Sequence, residues 1–592
     1  MPRTSVTKSV PSPVGGVNAR DALAEMPPTD AVVMDNWFPN LSYLQIRNGS
    51  QTWSTGLPNA AVETIMAYNG FLGRKLFAWC NSSLFDVTAQ GAVGAAIITG
   101  MTNSRWQHAM FNAGGGNVLL CVNGADPPRR YDGSIQGGIT TTTTLVGGTL
   151  YVNGTYTTVA LTGGTGTGAK ATIVVAGGAV TSILITTPGT GYLVGDVLSA
   201  SNASLGGAGS GFAITVQTVS GWSVTTLSGS GLNPNNLITV TVHQQRCWFI
   251  ENNTMNVWYT SVNAFQGALT LLPLGQLFRM GGTLIQMASW TIDNVAGIND
   301  YAAFITSEGE VAIYQGYDPS QISTWSLVGI FRVGRPIGRR CVTKYASDVL
   351  LICADGLTPL SKALLTDRTQ QDVELTYKIL NAINQDVQSY NANFGWQCIE
   401  SPIGNKLIVN VPEVTNSLMH QWVMNTVSKA WCRFRNWNAN CWEIQQDALY
   451  FGGVGNIYLA DVGVSDSGAG ITVDCKPAFS YFDLQGQIKR FCMARPIFQS
   501  SAAVNPTITL NIDFSDVINP GPFFSQGPSA PWNISPWNTT PWGGRTPYLI
   551  LKNWLGIGGL GYAASGRLSF QTAGIALQWF STDYMFEPGG PI

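Results

Sequence analysis

The stretch GGVNARDALAEMPPTDAVVMDNWFP, residues 15–39, organises the start of this chain. A Gly-Gly bend opens it, and a double proline stops a short turn in its middle. Thr29 or Asp30 is a suitable N-cap for a new helical turn, which would deliver Trp37 and Phe38 together. We expect an ordered arm, which either packs on its own fold or docks onto another subunit.

Short apolar runs closed by turn residues follow the arm at a spacing of about 40 to 55 residues, once residues 139–220 are set aside. Such repeats of paired hairpins are typical of β-propeller blades, and a stack of unrelated hairpins is the alternative. The number of blades stays open. The repeats lie at residues 75–87, 117–133, 246–260, 302–314, 349–356, 406–412 and 448–461.

Residues 139–220 differ in composition from both flanks, because they are rich in Gly, Thr, Val and Ala and nearly free of charge. Apolar and polar residues alternate in them around a Gly-Gly hairpin turn. The segment lacks a phosphate-binding GxxxxGK[ST] loop. We predict a small inserted β domain that divides the propeller into residues 41–138 and 221–474.

One long helix is predicted at about residues 368–393, where apolar residues recur at steps of three and four. Packing against the sheets is its favoured role, and lining a tube is the alternative. From residue 475 onward the alternating pattern predicts a C-terminal, sandwich-like β domain, residues 475–592.

The C-terminal domain contains the segment PWNISPWNTTPWG, residues 531–543, in which a Pro-Trp pair recurs every five residues. Proline disfavours both helix and ladder there, and the rings of Trp532, Trp537 and Trp542 offer rigid apolar area. We expect either a loop folded over its own domain or a contact with another subunit.

Composition restricts the class of protein. Charged residues make up 11% of the 592 residues, and the formal net charge is −2. This balance excludes a nucleic-acid reader that neutralises phosphates, but it allows a conduit whose wall does not hold DNA. It also suits a subunit that hides surface in an assembly. Residues 1–13 lack the apolar core of a signal peptide, and no membrane span is expected.

Ten scattered cysteines without a CxxC pair predict free, buried thiols, as in a reducing cytoplasm, and neither a disulfide framework nor a zinc site. The three histidines, His108, His243 and His420, lie in no catalytic motif. Asp466, in SDSG (residues 465–468), approaches the Asp-box repeat of glycosidases without its spacing or its Trp. We therefore expect no enzyme, no cofactor and no bound metal.

The order of residues 15–39 resembles the opening of the tail nozzle proteins of short-tailed bacteriophages, which lead from Gly-Gly, Asn-Ala-Arg-Asp, Met-Pro and Asp-Asn-Trp-Phe-Pro into a β-propeller. The segments NKLIVNVP (residues 405–412) and FSTDYMFEPGG (residues 580–590) are also similar to that family. The resemblance hardly covers residues 139–220.

The resemblance implies a structural virion protein, assembled in the host cytoplasm, that ends the tail as a homohexameric ring below the adaptor ring under the portal. Such a ring extends the DNA channel, helps to gate it and supports tail fibres. A receptor-binding fibre or spike is one rival, and a glycan-degrading propeller enzyme is another. The arm, residues 1–40, is the first candidate for docking and the Pro-Trp loop is the second. The candidate residues are Arg20, Asp21, Asp35, Asn36, Trp37, Phe38, Trp532, Trp537 and Trp542.

Overall fold

The fold is all-β. The computed structural model describes residues 5–71, 73–113, 116–134, 136–294, 297–321, 323–363, 375–517, 524–526 and 549–591. The α-helices among them are Leu360–Ala363 and Leu380–Tyr390, and short 3-10 turns lie at Asn202–Leu205, Pro234–Asn236 and Tyr377–Ile379. The chain forms two compact units, one of Met1–Ile65, Ala78–Ala95 and Leu277–Ile592, the other of Met66–Phe77 and Ala96–Gln276.

Among the described residues, seven antiparallel meanders of three or four strands have the form of β-propeller blades. Each contains one of the repeats found in the sequence. Blades 1 to 3 consist of Val62–Gly70, Gly73–Cys80 and Ser83–Asp86 (blade 1), of Gln107–Ala113, Gly116–Val122, Arg129–Tyr131 and Trp222–Val224 (blade 2), and of Leu237–His243, Arg246–Glu251, Asn256–Tyr259 and Thr270–Pro273 (blade 3). Blades 4 and 5 consist of Leu284–Asn294, Gly297–Thr306, Glu310–Gly316 and Trp325–Arg332 (blade 4), and of Val342–Tyr345, Asp348–Cys353 and Gly356–Pro359 (blade 5). Blades 6 and 7 consist of Gln397–Ser401, Lys406–Val414, Leu418–Asn425 and Trp431–Arg435 (blade 6), and of Cys441–Gln445, Ala448–Gly452 and Ile457–Ala460 together with Ser50–Thr55 (blade 7).

The outer strand of blade 7, Ser50–Thr55, comes from before blade 1 in the sequence and runs antiparallel to Ile457–Ala460. The short strand Gly91–Ala92 covers its other side. The start of the blade series is thereby hydrogen-bonded to its end. A separate short parallel pair joins Leu227–Ser228 to Gly267–Ala268.

Tight turns fix the register of the hairpins. Asn81 and Ser82 in blade 1, and Gln244 and Gln245 in blade 3, all have positive φ between 48° and 58°. Two consecutive left-handed residues are the signature of the type I′ turn, whose twist matches that of paired strands. Polar residues tolerate this conformation better than bulky ones, which is why the strand repeats are punctuated by them.

The insert sheet interrupts blade 2 between its third and fourth strands, which are hydrogen-bonded neighbours pairing Arg130 with Ser223. An insertion between adjacent strands leaves the blade intact. The core of the insert sheet is drawn from its own residues alone. Its strands are Ile139–Thr149, Gly154–Gly163, Lys170–Ala176, Ala179–Thr187, Val197–Ala200 and Ser210–Val219.

A two-sheet sandwich follows the blades and takes in strands from the arm. One sheet contains Val6–Pro11, Trp37–Pro39, Leu44–Ile46, Gln487–Ser500, Leu549–Leu551, Leu555–Gly561 and Leu577–Pro591. The other contains Gly16–Val17, Asp30–Asp35, Ile471–Pro477, Thr507–Ile512, Phe524–Gln526 and Ala564–Ala573, and continues into blade 6. The sandwich therefore uses both ends of the chain.

The helical turn predicted after Thr29 is wrong, because Asp30–Asp35 is a β-strand. It runs antiparallel to Ile471–Pro477 and pairs Asp35 with Arg433 of blade 6. Its Ala-Val-Val-Met centre is rich in β-branched residues, which lose side-chain freedom in a helix. Hydrogen bonding to strands on both sides stabilises the extended conformation more than an N-cap residue stabilises a helical turn.

The predicted long helix is shorter in the structure than the sequence suggested. It covers Leu380–Tyr390 and buries Ile383 and Val387, and residues 364–374 lie outside the described part. The Leu375 amide donates to the carbonyl of Leu357, and buried Thr376 accepts from the Leu357 amide, so blade 5 holds these two residues instead. None of the helices in the described ranges is long and apolar enough to cross a membrane.

Candidate interaction site: the arm junction

Trp37 and Phe38 are packed inside their own chain. Trp37 is fully buried, and its ring centroid lies 6.0 Å from Phe570 and 5.7 Å from Trp579, both in the sandwich. Phe38 packs on Phe434 of blade 6 at 6.4 Å. Strand alternation points the two rings to opposite faces of their strand, and both rings belong to one continuous hydrophobic core. We call this region, where the arm meets blade 6 and the sandwich, the arm junction.

Asn36 lies between the strands Asp30–Asp35 and Trp37–Pro39 and has the left-handed conformation, with φ 59°. Its backbone N–H donates to the carbonyl of Arg433, and its side-chain amide donates to the carbonyl of Thr472. Its side-chain oxygen accepts from the Arg435 amide and from Arg47 Nε, both at 2.8 Å. Asparagine is among the residues that tolerate this backbone conformation, and here its side chain forms hydrogen bonds with three separate segments of the chain.

Arg47 uses all five of its N–H donors. Nε donates to Asn36, Nη1 donates to the carbonyl of Asn48 and to Asp466 Oδ1, and Nη2 donates to the carbonyl of Arg435 and to Asp466 Oδ2. Its side chain is fully buried, and its carbon Cζ lies 4.6 Å from the Trp437 ring centroid. A buried guanidinium is tolerated only when paired and fully hydrogen-bonded, and both conditions hold here.

Asp466 is the acceptor that completes this arrangement. Besides the bidentate pair with Arg47, it accepts from Trp437 Nε1 at 3.1 Å and from Ser50 Oγ at 3.2 Å. Its backbone closes a tight turn with Ala469. The carboxylate that resembled an Asp-box in the sequence is therefore an anchor between the arm junction and blade 7.

A second chain of charges links the arm to the helix across blade 6. Asp35 forms a bidentate pair with Arg433, at 2.7 and 2.9 Å. Arg435 lies 3.4 Å from Asp35 and 4.0 Å from Glu413, and Glu413 contacts His420 Nδ1 at 2.7 Å.

His420 joins two elements at the end of that chain. Its Nε2 lies 3.1 Å from Asp386 of the helix, which also accepts from Trp422 Nε1. Burial lowers the pKa of His420, but hydrogen bonds to Asp386 and Glu413 outweigh it, and the pKa is raised. The hydrogen bond to His420 in turn lowers the pKa of Glu413. The contact of His420 with Asp386 holds the helix on blade 6.

The start of the arm is bonded to the residues that precede the helix Leu380–Tyr390. Asn18 donates to Asp21 and Asp30, both at 2.8 Å, and Asp30 pairs with Lys378 at 2.9 Å. Arg20 pairs with Asp21 at 2.6 Å. Hydrogen bonds from Asn18 and Arg20 lower the pKa of Asp21.

The structure divides the predicted docking residues into three groups. Asp35, Asn36, Trp37 and Phe38 meet at the arm junction, where their partners belong to the same chain, so a docking role of these four is corrected to an intramolecular one. Arg20 and Asp21 stay at the surface, with side chains 34% and 24% exposed, and Arg20 covers the Tyr377 ring. Trp532, Trp537 and Trp542 lie outside the described residues.

Sequence reasoning did not find Arg47 or assign Asp466 its role. The two residues lie 419 positions apart, and neither falls in a spaced motif that links them. The available signal was weak: Arg47 is one of only 31 basic residues, and it directly follows the apolar run that ends at Ile46.

The chemistry of the arm junction is that of a structural joint, because its charges neutralise one another. No group of three or more His, Cys, Asp or Glu residues in the described ranges could hold a metal ion. All ten cysteines are free, and nine are buried. Burial raises the pKa of Cys80 to about 11, which suppresses the reactive thiolate. An open cavity of about 450 Å³ beside Asp466 is lined by hydroxyls, including those of Ser50, Thr52 and Ser467.

No family model matches the chain, and no curated protein matches it. Among solved structures, "YCF48 bound to D1 peptide" is similar at 10% identity, with a TM-score of 0.25, over 75% of this chain and 99% of that one. "BBS1N in complex with ARL6DN, soaked with lead" is similar at 13% identity, with a TM-score of 0.16, over 52% and 96%.

Proposed function

We propose that this protein is the structural subunit of the nozzle at the end of a short phage tail. Six copies would form a ring beneath the adaptor ring, extend the channel through which viral DNA leaves, help to gate it and support tail fibres. Viral DNA would pass without specific binding. The protein would be assembled in the host cytoplasm and carried in the virion.

One observation carries the proposal. The stretch whose residue order resembles the nozzle family, residues 15–39, is also the stretch that ties blade 6 to the sandwich. Asp35 and Asn36 bond to blade 6, and Trp37 fills the sandwich core. Long-range structural roles for Asp35, Asn36 and Trp37 are what a shared architecture requires, and they support transfer of the family's architecture to this chain.

Two further features support it. Polar but largely uncharged surface suits a subunit that is buried in an assembly, and the channel wall of a DNA conduit should not hold phosphates. The arm junction contains a balanced set of ion pairs, as expected of a part that has a mechanical role.

For docking, the proposal uses the arm residues that stay at the surface. Arg20 and Asp21 form an exposed pair on the arm, and they are the first candidate contact with the neighbouring ring. The three Trp residues of the Pro-Trp loop are the second candidate. A cation and an anion side by side suit a polar interface rim, where charges govern the rate and specificity of association.

The decisive experiment is mass photometry with two-dimensional electron-microscopy classes of the purified protein, alone and mixed with tails that lack it. Six-fold rings that restore infectivity are expected. Trimers would favour a fibre or spike. Monomers that fail to add to tails, together with cleavage of host glycans, would replace the proposal by an enzyme.

A matched pair of variants tests the docking residues. Arg20→Ala should weaken addition to tails while leaving ring formation intact. Arg490→Ala is the control, because Arg490 is also an exposed arginine, paired with Glu587 at 3.5 Å in the sandwich. Equal loss from both variants would remove the arm from the docking contact.

A further inference from the structure

A cavity lies beside blade 7 and has no role in the proposed nozzle. It is open, has a volume of about 450 Å³, and is lined by the start of the strand Ser50–Thr55 and by residues 462–468, which follow the blade. The short strand Gly91–Ala92 pairs with the other end of Ser50–Thr55. Sites for small molecules have volumes of roughly 300–1,000 Å³, so this cavity has room for one.

Most of the side chains that line the cavity carry a hydroxyl or an amide group. The polar ones are Ser50, Gln51, Thr52, Ser465 and Ser467, and Val462 is apolar. Sites for small molecules are usually lined by apolar side chains instead. An apolar ligand would remove these polar groups from water without giving them hydrogen bonds, which costs free energy. The lining therefore requires a ligand that is itself rich in polar groups.

No charged side chain lines the cavity within the described part of the chain. Asp466 lies in the sequence between two of the lining serines, but its carboxylate is paired with the buried Arg47. The same carboxylate also accepts from Ser50 and Trp437. An anion or a cation in the cavity would therefore meet no free counter-charge, and a neutral ligand is favoured.

Two of the hydroxyls are held close together. Thr52 Oγ1 lies 3.0 Å from Ser467 Oγ, and we call these two groups the hydroxyl pair. Ser467 has the left-handed backbone conformation, with φ 49°, and its amide donates to the Ser50 carbonyl at 2.6 Å. That conformation costs free energy in a residue other than glycine, and it persists where the surrounding structure holds it. The loop therefore fixes the Ser467 hydroxyl beside that of Thr52.

Hydrogen-bonding capacity is left over at the hydroxyl pair and beside it. A hydroxyl has one donor and two acceptor sites, so acceptor sites remain even when the pair bonds internally and Ser467 Oγ donates to the Ser50 carbonyl. The hydroxyl of Ser465 and the side-chain amide of Gln51 have no hydrogen-bond partner among the described residues. Ligand hydroxyls, which donate and accept at once, match this mixture of groups.

We propose that this cavity binds a neutral sugar unit, with neighbouring hydroxyls of one sugar ring bonded to the hydroxyl pair. A sugar unit is polar, carries no charge and presents several hydroxyls on a rigid ring, so it meets each requirement of the lining. Hydrogen bonds that form a connected set polarise one another and strengthen the set. The loop leaves room for the ring, because a Cβ added at Gly463 or Gly468 would meet no described atom within 4 Å.

The binding should be weak. An open site that relies on a few hydrogen bonds gains little, because the ligand exchanges bonds to water for bonds to the protein. We expect a dissociation constant of about 1 mM. The site uses blade 7 and one loop of a single chain, so it does not depend on the proposed ring.

Saturation-transfer difference NMR of the full chain with glucose, galactose, mannose and N-acetylglucosamine tests the proposal. At least one of the four should bind with a millimolar dissociation constant. Thr52→Val/Ser467→Gly removes both hydroxyls of the pair, and glycine suits the left-handed backbone at position 467. This double variant should bind the same sugar about tenfold more weakly, since two hydrogen bonds are lost.

Thr140→Val is the matched control. Thr140 also forms an exposed hydroxyl pair, with Thr218 at 2.6 Å in the insert sheet, and its loss should leave sugar binding unchanged. Binding of none of the four sugars, equal binding by wild type and double variant, or equal loss in double variant and control overturns the proposal. Displacement of the sugar by an equal concentration of inorganic phosphate would also overturn it, because the ligand would then be an anion.

Hydrogen exchange of the wild-type chain gives a second readout that needs no variant. At saturating sugar, backbone amides of residues 50–52 and 465–468 should become more protected, while those of Gly91 and Ala92 should not change. Unchanged exchange at both lining segments would overturn the proposal. Ring formation is measured separately, so six-fold rings without sugar binding would overturn the sugar site and leave the nozzle standing.

Discussion

The arm junction and the insert sheet stabilise two parts of one chain in opposite ways. The junction gathers residues from distant parts of the sequence around buried charges, such as Arg47 and Asp466. The insert sheet is a continuous run of residues with two charged members, Lys170 and Asp196, and a core of its own. The junction is built from segments that are far apart in sequence, whereas the core of the insert comes from one continuous segment.

The charged residues of the two regions differ in how deeply they and their partners are buried. In the insert, Asp196 is a surface residue that accepts from the Leu193 and Thr165 amides and so ties one loop. In the junction, removal of one charge would leave its partner buried without compensation. An aspartate therefore holds a single loop in the insert, whereas in the junction an aspartate holds together segments that are far apart in sequence.

The largest effect is expected at Trp37. Trp37→Ala should destabilise the chain by about 3–5 kcal/mol, because a fully buried ring that packs on Phe570 and Trp579 of the sandwich is lost. Urea unfolding followed by tryptophan fluorescence measures it. Tyr192→Ala, which removes a buried ring of the insert core, should melt the insert and leave the main transition in place. If both variants shifted the main unfolding transition equally, the insert would not be stabilised separately from the arm junction.

Asp466→Asn should cost about 3 kcal/mol, because it leaves the buried Arg47 guanidinium without its counter-charge. Thermal unfolding monitored by circular dichroism is the measurement. The control is Asp483→Asn, since Asp483 is 83% exposed and its pair with Lys8 lies at the surface. Surface pairs contribute little, so the control should not change measurably. Similar losses of stability in both variants would show that the buried charges of the junction contribute no more than a surface ion pair.

A smaller, pH-dependent effect is expected at His420. Its pKa is raised in the folded chain, so its contribution is fully present below the ordinary histidine pKa of about 6.5 and is lost as pH rises through the raised value. Wild-type urea midpoints should therefore fall, as pH rises above about 6.5, more steeply than those of His420→Gln. Parallel curves for the two proteins would contradict a charged His420.

Glu413 acts at the other end of the pH scale. Its pKa is lowered, so its contribution is present above the ordinary glutamate pKa and is lost as pH falls through the lowered value. Glu413→Gln should therefore flatten the acid limb of the same stability curve. It also removes one of the two carboxylates that raise the pKa of His420, so the alkaline fall should become less steep as well. An unchanged acid limb would contradict an ionised Glu413 in the folded chain.

The smallest effect on the main fold is expected from removing the insert. Replacing residues 134–220 by a short turn joins strands that already pair through Arg130 and Ser223. The main unfolding transition should move by no more than about 0.5 kcal/mol, since distant and separately packed sites behave independently. Loss of soluble protein on deletion would show that blade 2 needs the insert.

Local patterns predicted the elements in which each strand is specified by its own neighbours. The seven repeats became seven blades because alternation and turn residues act over a few positions. The insert was recognisable for the same reason, since its composition changes abruptly at both borders. Residues 380–390 kept their helical face, with Ile383 and Val387 buried.

The errors fell where long-range pairing competes with local preference. Asp30–Asp35 has an N-cap signal but lies between two ladders. Leu375 and Thr376 have a helical pattern but bond to Leu357. In both places, hydrogen bonds to residues far away in sequence outweigh a propensity difference that amounts to less than about 1 kcal/mol per residue.

By itself the sequence determined an all-β fold with hairpin repeats, a separate insert and buried thiols, because strand alternation, turn chemistry and composition are properties of short segments. Tertiary structure alone decided that the arm belongs to the sandwich, that Trp37 is a core residue and that Arg47 meets Asp466. Those contacts join segments hundreds of residues apart, and their stability arises from burial and pairing that exist only once the chain has folded.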